Sequence, residues 1–120
     1  MINNLVLAYL GDAVYELYIR IYLINKGYQK VNDLQVESIK YVSAKSQSNH
    51  LQRLLDNNFL TDDEIDIVKR GRNMSSHGKK NTDIITYKRS TGLECLIGSL
   101  KIDNNDSRIK EIMDFIVEEI

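Results

Sequence analysis

With 120 residues and a formal net charge of −1, the chain has room for one hydrophobic core and none for a second module, and it is too nearly neutral for a general polyanion binder. The absence of proline, only six glycines and apolar positions at helical spacing predict an all-helical protein. The single cysteine, Cys95, excludes an internal disulfide and suits a reducing cytoplasm.

Met1-Ile2-Asn3-Asn4 carries none of the bases of a secretory signal, and Asp12 interrupts the leading apolar run before it could span a bilayer. A soluble, cytoplasmic protein with no membrane partner is expected. The first helix is predicted over 4–25, ending at Lys26-Gly27, a cation followed by a glycine. Its face of Val6, Leu10, Ala13, Leu17, Ile21 and Ile24 is expected in the core. Tyr15, Tyr18 and Tyr22 form a neighbouring stripe that reads first as core, then as dimer contact, then as a base-stacking surface.

Within this helix, Leu7-Ala8-Tyr9-Leu10-Gly11-Asp12-Ala13-Val14-Tyr15-Glu16 sets an acid behind a glycine among apolar residues. Glycine in a helix interior costs roughly 1 kcal/mol relative to alanine, and a carboxylate beside a core needs a partner or a cation. Asp12 is therefore a candidate site residue. Glu16, four residues on, projects from the same face, with the alternative of a solvated acid paired to Arg20.

A second helical region is expected from Asp33, read as its N-cap, with a bend or break around Ser43-Ala44-Lys45-Ser46. His50 within it reads as a helix-surface residue. Thr61-Asp62-Asp63-Glu64 is a capping box with Leu60 and Ile65 as hydrophobic staple, so a helix should run from Asp62 to about Asn73.

From Lys69 to Arg89 the bases Lys69, Arg70, Arg72, Lys79, Lys80, Lys88 and Arg89 face one acid, Asp83. The stretch Asn73–Asp83 lacks apolar periodicity and is expected to be the longest loop, with His77 inside it. Such a local patch on a neutral chain can bind phosphates; its other reading is a solvated surface. Neither histidine has a second histidine or cysteine at a zinc-ligand spacing, and Lys69-Arg70-Gly71-Arg72 has no strand before it to make a P-loop.

A further helical region follows from about Ile84 to Leu100, with an interruption expected near Ser90-Thr91-Gly92. Glu94 is another acid among apolar and small residues, although Thr91-x-x-Glu94 taken alone reads as a capping box. Cys95, beside Leu93, Leu96, Ile97 and Leu100, reads as a buried, inert thiol. The last helix opens at Asn105 or Asp106 with Ile109, Ile112, Met113, Ile116 and Val117 inward.

Two of these segments carry a resemblance. Leu7-Ala8-Tyr9-Leu10-Gly11-Asp12-Ala13-Val14 resembles the signature helix of the ribonuclease III family, and Thr91-Gly92-Leu93-Glu94-Cys95-Leu96-Ile97-Gly98 resembles its second acidic helix. The match extends through Val42-Ser43-Ala44-Lys45 and so covers nearly the whole chain. Arg70-Gly71-Arg72-Asn73 followed by Lys79-Lys80-Asn81-Thr82-Asp83 looks like the short Mini-ribonuclease III branch, a bare catalytic domain without a double-stranded RNA-binding domain.

The resemblance implies an all-helical endonuclease domain over 1–120 that acts as a homodimer on double-stranded RNA with Mg²⁺, Mn²⁺ being a substitute. It implies a role in maturing the 23S ribosomal RNA precursor, with a ribosomal protein as helper. By match, Asp12 and Glu94 are the catalytic residues and metal ligands, with Glu16 as an auxiliary acid. Arg70, Arg72, Asn73, Lys79, Lys80, Lys88 and Arg89 are the expected RNA-binding residues. Where the larger enzymes carry further acids, this chain has Ala8 and Thr91, which leaves the number of metal ions open. The same departure sets up the alternative of a catalytically inactive RNA-binding or ribosome-assembly module. The first helix, with its tyrosine stripe, is the expected dimer interface.

Overall fold

The computed structural model describes residues 2–74 and 83–118, and these form six helices with no strand among them. Lys79, Lys80, His77 and most of the expected loop over 73–83 lie outside the described residues. None of the described helices is long and apolar enough to cross a membrane.

Local capping chemistry sets most boundaries. α1 (Asn4–Asn25) starts where the Asn3 side chain accepts from the Leu5 N–H at 2.7 Å, and Gly27 leaves it at φ 104°. α2 (Val31–Val42) begins two residues before the expected cap: Asp33 sits in its first turn, where its charge complements the helix dipole. The expected break falls at Ser43, whose extended backbone ends α2 and whose hydroxyl accepts from the Ser46 N–H to start α3 (Ala44–Asp56). α4 (Asp62–Met74) opens with the capping box as written, Glu64 N–H to Thr61 at 3.1 Å and Thr61 N–H to Glu64 at 2.9 Å.

α5 (Ile84–Ile102) is capped by Asp83 and runs without interruption, contrary to the break expected at Ser90-Thr91-Gly92. The small residues there are packing features. α5 is the central helix, touched by α1, α3, α4 and α6, and residues 90–93, 95–98 and 100 are all buried. A Cβ on Gly92 would lie 2.7 Å from the Val68 carbonyl oxygen of α4, so only glycine permits that approach. α6 (Asp106–Glu118) turns Ile109, Ile112, Met113 and Ile116 inward, with Val117 at the edge.

α1 corrects the expected core. Ala8, Gly11, Val14, Tyr15, Ile19 and Leu23 are its buried face, whereas Val6, Leu17 and Ile24 are 55%, 55% and 56% exposed and Ile21 and Ala13 are exposed too. The helix is apolar on both sides, so periodicity alone could not choose between them. The tyrosine stripe lies inward: Tyr15 is fully buried and donates its hydroxyl to the Tyr41 carbonyl at 2.8 Å, and Tyr18 and Tyr22 pack against the core. His50 is likewise buried rather than on the surface, its Nδ1 2.7 Å from the guanidinium of Arg53, which caps the last carbonyls of α6.

Candidate active site

The α1–α5 crossing explains the glycine that precedes Asp12. A methyl group on Gly11 would overlap the Glu94 carbonyl oxygen and come within 2.9 Å of the Gly98 nitrogen. One on Gly98 would overlap the Leu7 carbonyl oxygen and come within 3.1 Å of the Gly11 nitrogen. Backbone therefore meets backbone, at a distance that any other residue would forbid. This close approach brings the turn bearing Asp12 to the turn bearing Glu94.

Both side chains open into one cleft of about 460 Å³. α1 lines it with Leu5, Ala8, Tyr9, Asp12 and Glu16; α5 supplies Tyr87, Ser90, Thr91 and Glu94; the α2–α3 elbow adds Val42 and Ala44. Asp12 is exposed, so its cost of burial, the reason for first singling it out, is small; its position in the cleft is what distinguishes it. Glu94 is half-buried and lies in mid-helix, because Asp83 and not Thr91 caps α5. Thr91 instead donates its hydroxyl back to the Tyr87 carbonyl at 3.0 Å.

Glu16 shares the cleft and also faces Arg20 at 3.8 Å, a loose surface pair, so the structure joins the two readings of this residue. Ala8 and Thr91, the positions of the missing acids, are both buried and both line the cleft. Among the described residues no lysine, arginine or histidine lines it, and no three His, Cys, Asp or Glu side chains converge as a metal-holding cluster. Hard carboxylate oxygens without a resident base suit a divalent cation that keeps several waters and takes one or two protein carboxylates.

Of the expected RNA-binding residues, the described ones, Arg70, Arg72, Asn73, Lys88 and Arg89, do not line the cleft. Arg70, Arg72 and Asn73 are exposed on the last turns of α4. Arg70 borders one groove with Asp63 and Asp66 and another with Asp103, so acids share its surroundings. Lys88 and Arg89 are half-buried on α5, next in sequence to the cleft residues Tyr87 and Ser90, and Arg89 is tied to Gln52 of α3. Cys95 is buried as expected, and burial pushes its thiol pKa up.

Sequence reasoning missed the polar residues behind the cleft. Gln47 is buried and joins Ser90 to the α2–α3 elbow. Its only signal was a long polar side chain at a buried helix position, which periodicity reads as surface.

Comparison with known proteins agrees with this geometry. Residues 5–105 match the family model described as ribonuclease III domain. A Mini-ribonuclease 3 of Staphylococcus aureus is 45% identical over 98% of this chain and 88% of its own length, and one of Streptococcus pneumoniae is 44% identical over 100% and 94%. An X-ray crystal structure of a Fusobacterium nucleatum protein superposes with a TM-score of 0.86 at 31% identity, covering 98% of this chain and 93% of that one. An all-helical fold, the glycine-set meeting of two acidic helices and near full-length identity to these relatives agree: the chain belongs to the ribonuclease III family of double-stranded RNA endoribonucleases, in its Mini-ribonuclease 3 branch.

Proposed function

We propose that the α1–α5 cleft is where this chain, as a single catalytic domain over 1–120, hydrolyses the RNA backbone, with Asp12 and Glu94 as the catalytic carboxylates. The observation that carries the reading is the glycine-only contact of Gly11 with the Glu94 backbone, which sets the two acids on facing turns. Enzymes of the family use divalent metal ions; here Asp12 and Glu94 would hold Mg²⁺, or Mn²⁺ in its place, with Glu16 as the auxiliary ligand. When bound, such an ion polarises the scissile phosphodiester and lowers the pKa of an attacking water. Without it, the negative lining of the cleft would repel RNA phosphates.

Duplex binding falls to the surrounding bases. An A-form duplex presents phosphates and 2′-hydroxyls across a wide, shallow minor groove, so recognition is chiefly of shape and backbone. Arg70, Arg72, Lys79, Lys80, Lys88 and Arg89 supply charge, and Asn73 supplies hydrogen bonds. Two such sites related by a twofold axis would cut both strands, and the outer face of α1 gives a self-complementary surface for a homodimer. Val6, Leu17 and Ile24 lie there, and an apolar groove continues from Ile24 to Val31 and Leu34 of α2. Of the tyrosine stripe, Tyr15 is fully buried, whereas Tyr18 and Tyr22 are partly exposed and line a surface groove with Ile21.

The substrate in the cell is proposed to be the 23S ribosomal RNA precursor, processed in the cytoplasm with a ribosomal protein as helper. Incubating the protein with a long RNA duplex, with and without Mg²⁺, and mapping the ends tests the reading. Metal-dependent products with 5′-phosphates and 3′-hydroxyls are expected. Salt-sensitive binding without any metal-dependent product would point to an inactive RNA-binding module instead.

A further inference from the structure

The break between α2 and α3 creates a demand that a single amide meets. α2 ends at Val42, so the carbonyls of its last turn have no donor within the helix. The Ser43 N–H takes the Ile39 carbonyl at 3.3 Å and the Tyr15 hydroxyl takes that of Tyr41 at 2.8 Å. The Val42 carbonyl accepts from the Gln47 Nε2 at 3.3 Å. The other end of the same amide, Oε1, accepts from the Ser90 hydroxyl of α5 at 2.7 Å. Gln47 is only 1% exposed and does not line the cleft, whereas both of its partners, Val42 and Ser90, do.

We propose that Gln47 is a positioning residue for RNA cleavage: its amide ties the α2–α3 elbow to α5 and so holds the two walls of the cleft in register. The inference rests on the reading of this cleft as the cleavage site. The position calls for a neutral side chain with both a donor and an acceptor, because the Val42 carbonyl takes a donor and the Ser90 hydroxyl gives its proton to an acceptor; an amide meets both. Leucine would fill the space but make neither hydrogen bond, leaving the half-buried Val42 carbonyl and the buried Ser90 hydroxyl untied to each other. The elbow would then be free to shift against the α5 turn that carries Thr91 and Glu94. A displacement of about 1 Å in a catalytic constellation can cost on the order of 100-fold in rate.

The test is Gln47→Leu in the full chain, assayed on a long RNA duplex at saturating Mg²⁺ and well below its melting temperature, beside Gln47→Glu, Ser90→Ala and Asp12→Asn. For Gln47→Leu, kcat per folded protein should fall about 10- to 100-fold, with KM within twofold of the wild type. Gln47→Glu loses the donor only while ionised, so its rate relative to the wild type at each pH should rise as the pH falls and the protonated carboxyl replaces the amide. Should Gln47→Leu fail to fold, Gln47→Glu and Ser90→Ala carry the test, each with a kcat loss of several-fold. A kcat within twofold of the wild type in the folded variants, or a change confined to KM, overturns the proposal. Wild-type cutting by Asp12→Asn would instead sink the assignment of the cleft itself.

Discussion

Two ends of this molecule treat their carboxylates in opposite ways. At the α4–α6 end Glu64 is held by Arg108 through two hydrogen bonds of 2.8 Å, while the same guanidinium donates to the Phe59 carbonyl at 2.7 Å and lies over the Phe59 ring. Burial alone would raise the Glu64 pKa, yet the bonds from Arg108 and Thr61 outweigh it and hold the carboxyl below its ordinary value. In the cleft, Asp12, Glu16 and Glu94 share a lining that includes no base, Glu16 meeting Arg20 only loosely at its rim at 3.8 Å. A carboxylate that its own fold satisfies bidentately is structural. Carboxylates that line an open cleft with no lysine, arginine or histidine in its lining stand where a cation from outside can reach them.

The contrast is broken most directly at the cleft. Asp12→Asn or Glu94→Gln should lower duplex cleavage by at least about 10³-fold, since a metal-held phosphate is worth several kcal/mol in the transition state. Circular dichroism should show the helices intact; cleavage within tenfold of wild type would remove the cleft from the argument.

Gly11→Ala should come next. A methyl that overlaps the Glu94 carbonyl forces α1 and α5 apart, at a cost of about 3 kcal/mol by denaturant titration, and activity should fall with it. An alanine variant as stable as the parent would mean that the helices do not meet as described.

Glu64→Gln should do the reverse of the Asp12 change. Removing the buried partner of Arg108 leaves a largely buried guanidinium with only the exposed Glu111 at 3.4 Å as counter-charge, and a loss of about 2 kcal/mol is expected with kcat per folded protein unchanged. A fall in kcat would show that the two ends are coupled.

Acid should weaken the structural end by a smaller amount. Burial, with the Arg53 charge beside it, lowers the His50 pKa from 6.5 to about 4, so between those values the unfolded chain takes up a proton that the native state refuses. Stability is therefore full above pH 6.5 and declines toward pH 4, by on the order of 1–2 kcal/mol after solvent screening. Glu64, with its pKa depressed, adds to the loss below its ordinary 4.5. Urea midpoints flat from pH 7 to pH 4 would contradict both.

The outline of the fold was legible where the cause was local. The Thr61–Glu64 capping box, the Asp62 start, the Lys26-Gly27 stop and the break at Ser43 are decided within three or four residues of backbone, and sequence reasoning placed them. The positions of Asp12 and Glu94 were also legible, as acids among apolar residues on two helices. The resemblance to a family supplied their roles, which composition and spacing did not.

What depended on contact between distant segments was not legible. α1 carries apolar residues on both faces, and only the approach of α5 decided that Tyr15, Ile19 and Leu23 go inside while Val6, Leu17 and Ile24 stay out. Gly92 looked like a helix breaker, and it proved to be the point where α4 packs against an unbroken α5. His50 read as surface, and Gln47 drew no reading, because nothing within their own turn announces a buried partner. The sequence by itself determined that the chain is helical, the capping box at Thr61, the break at Ser43 and the two acids, since each of these is a matter of neighbours along the chain. Tertiary structure alone decided which faces are buried, why Gly11 precedes Asp12 and how the cleft is braced, because those depend on what another helix brings to within van der Waals distance.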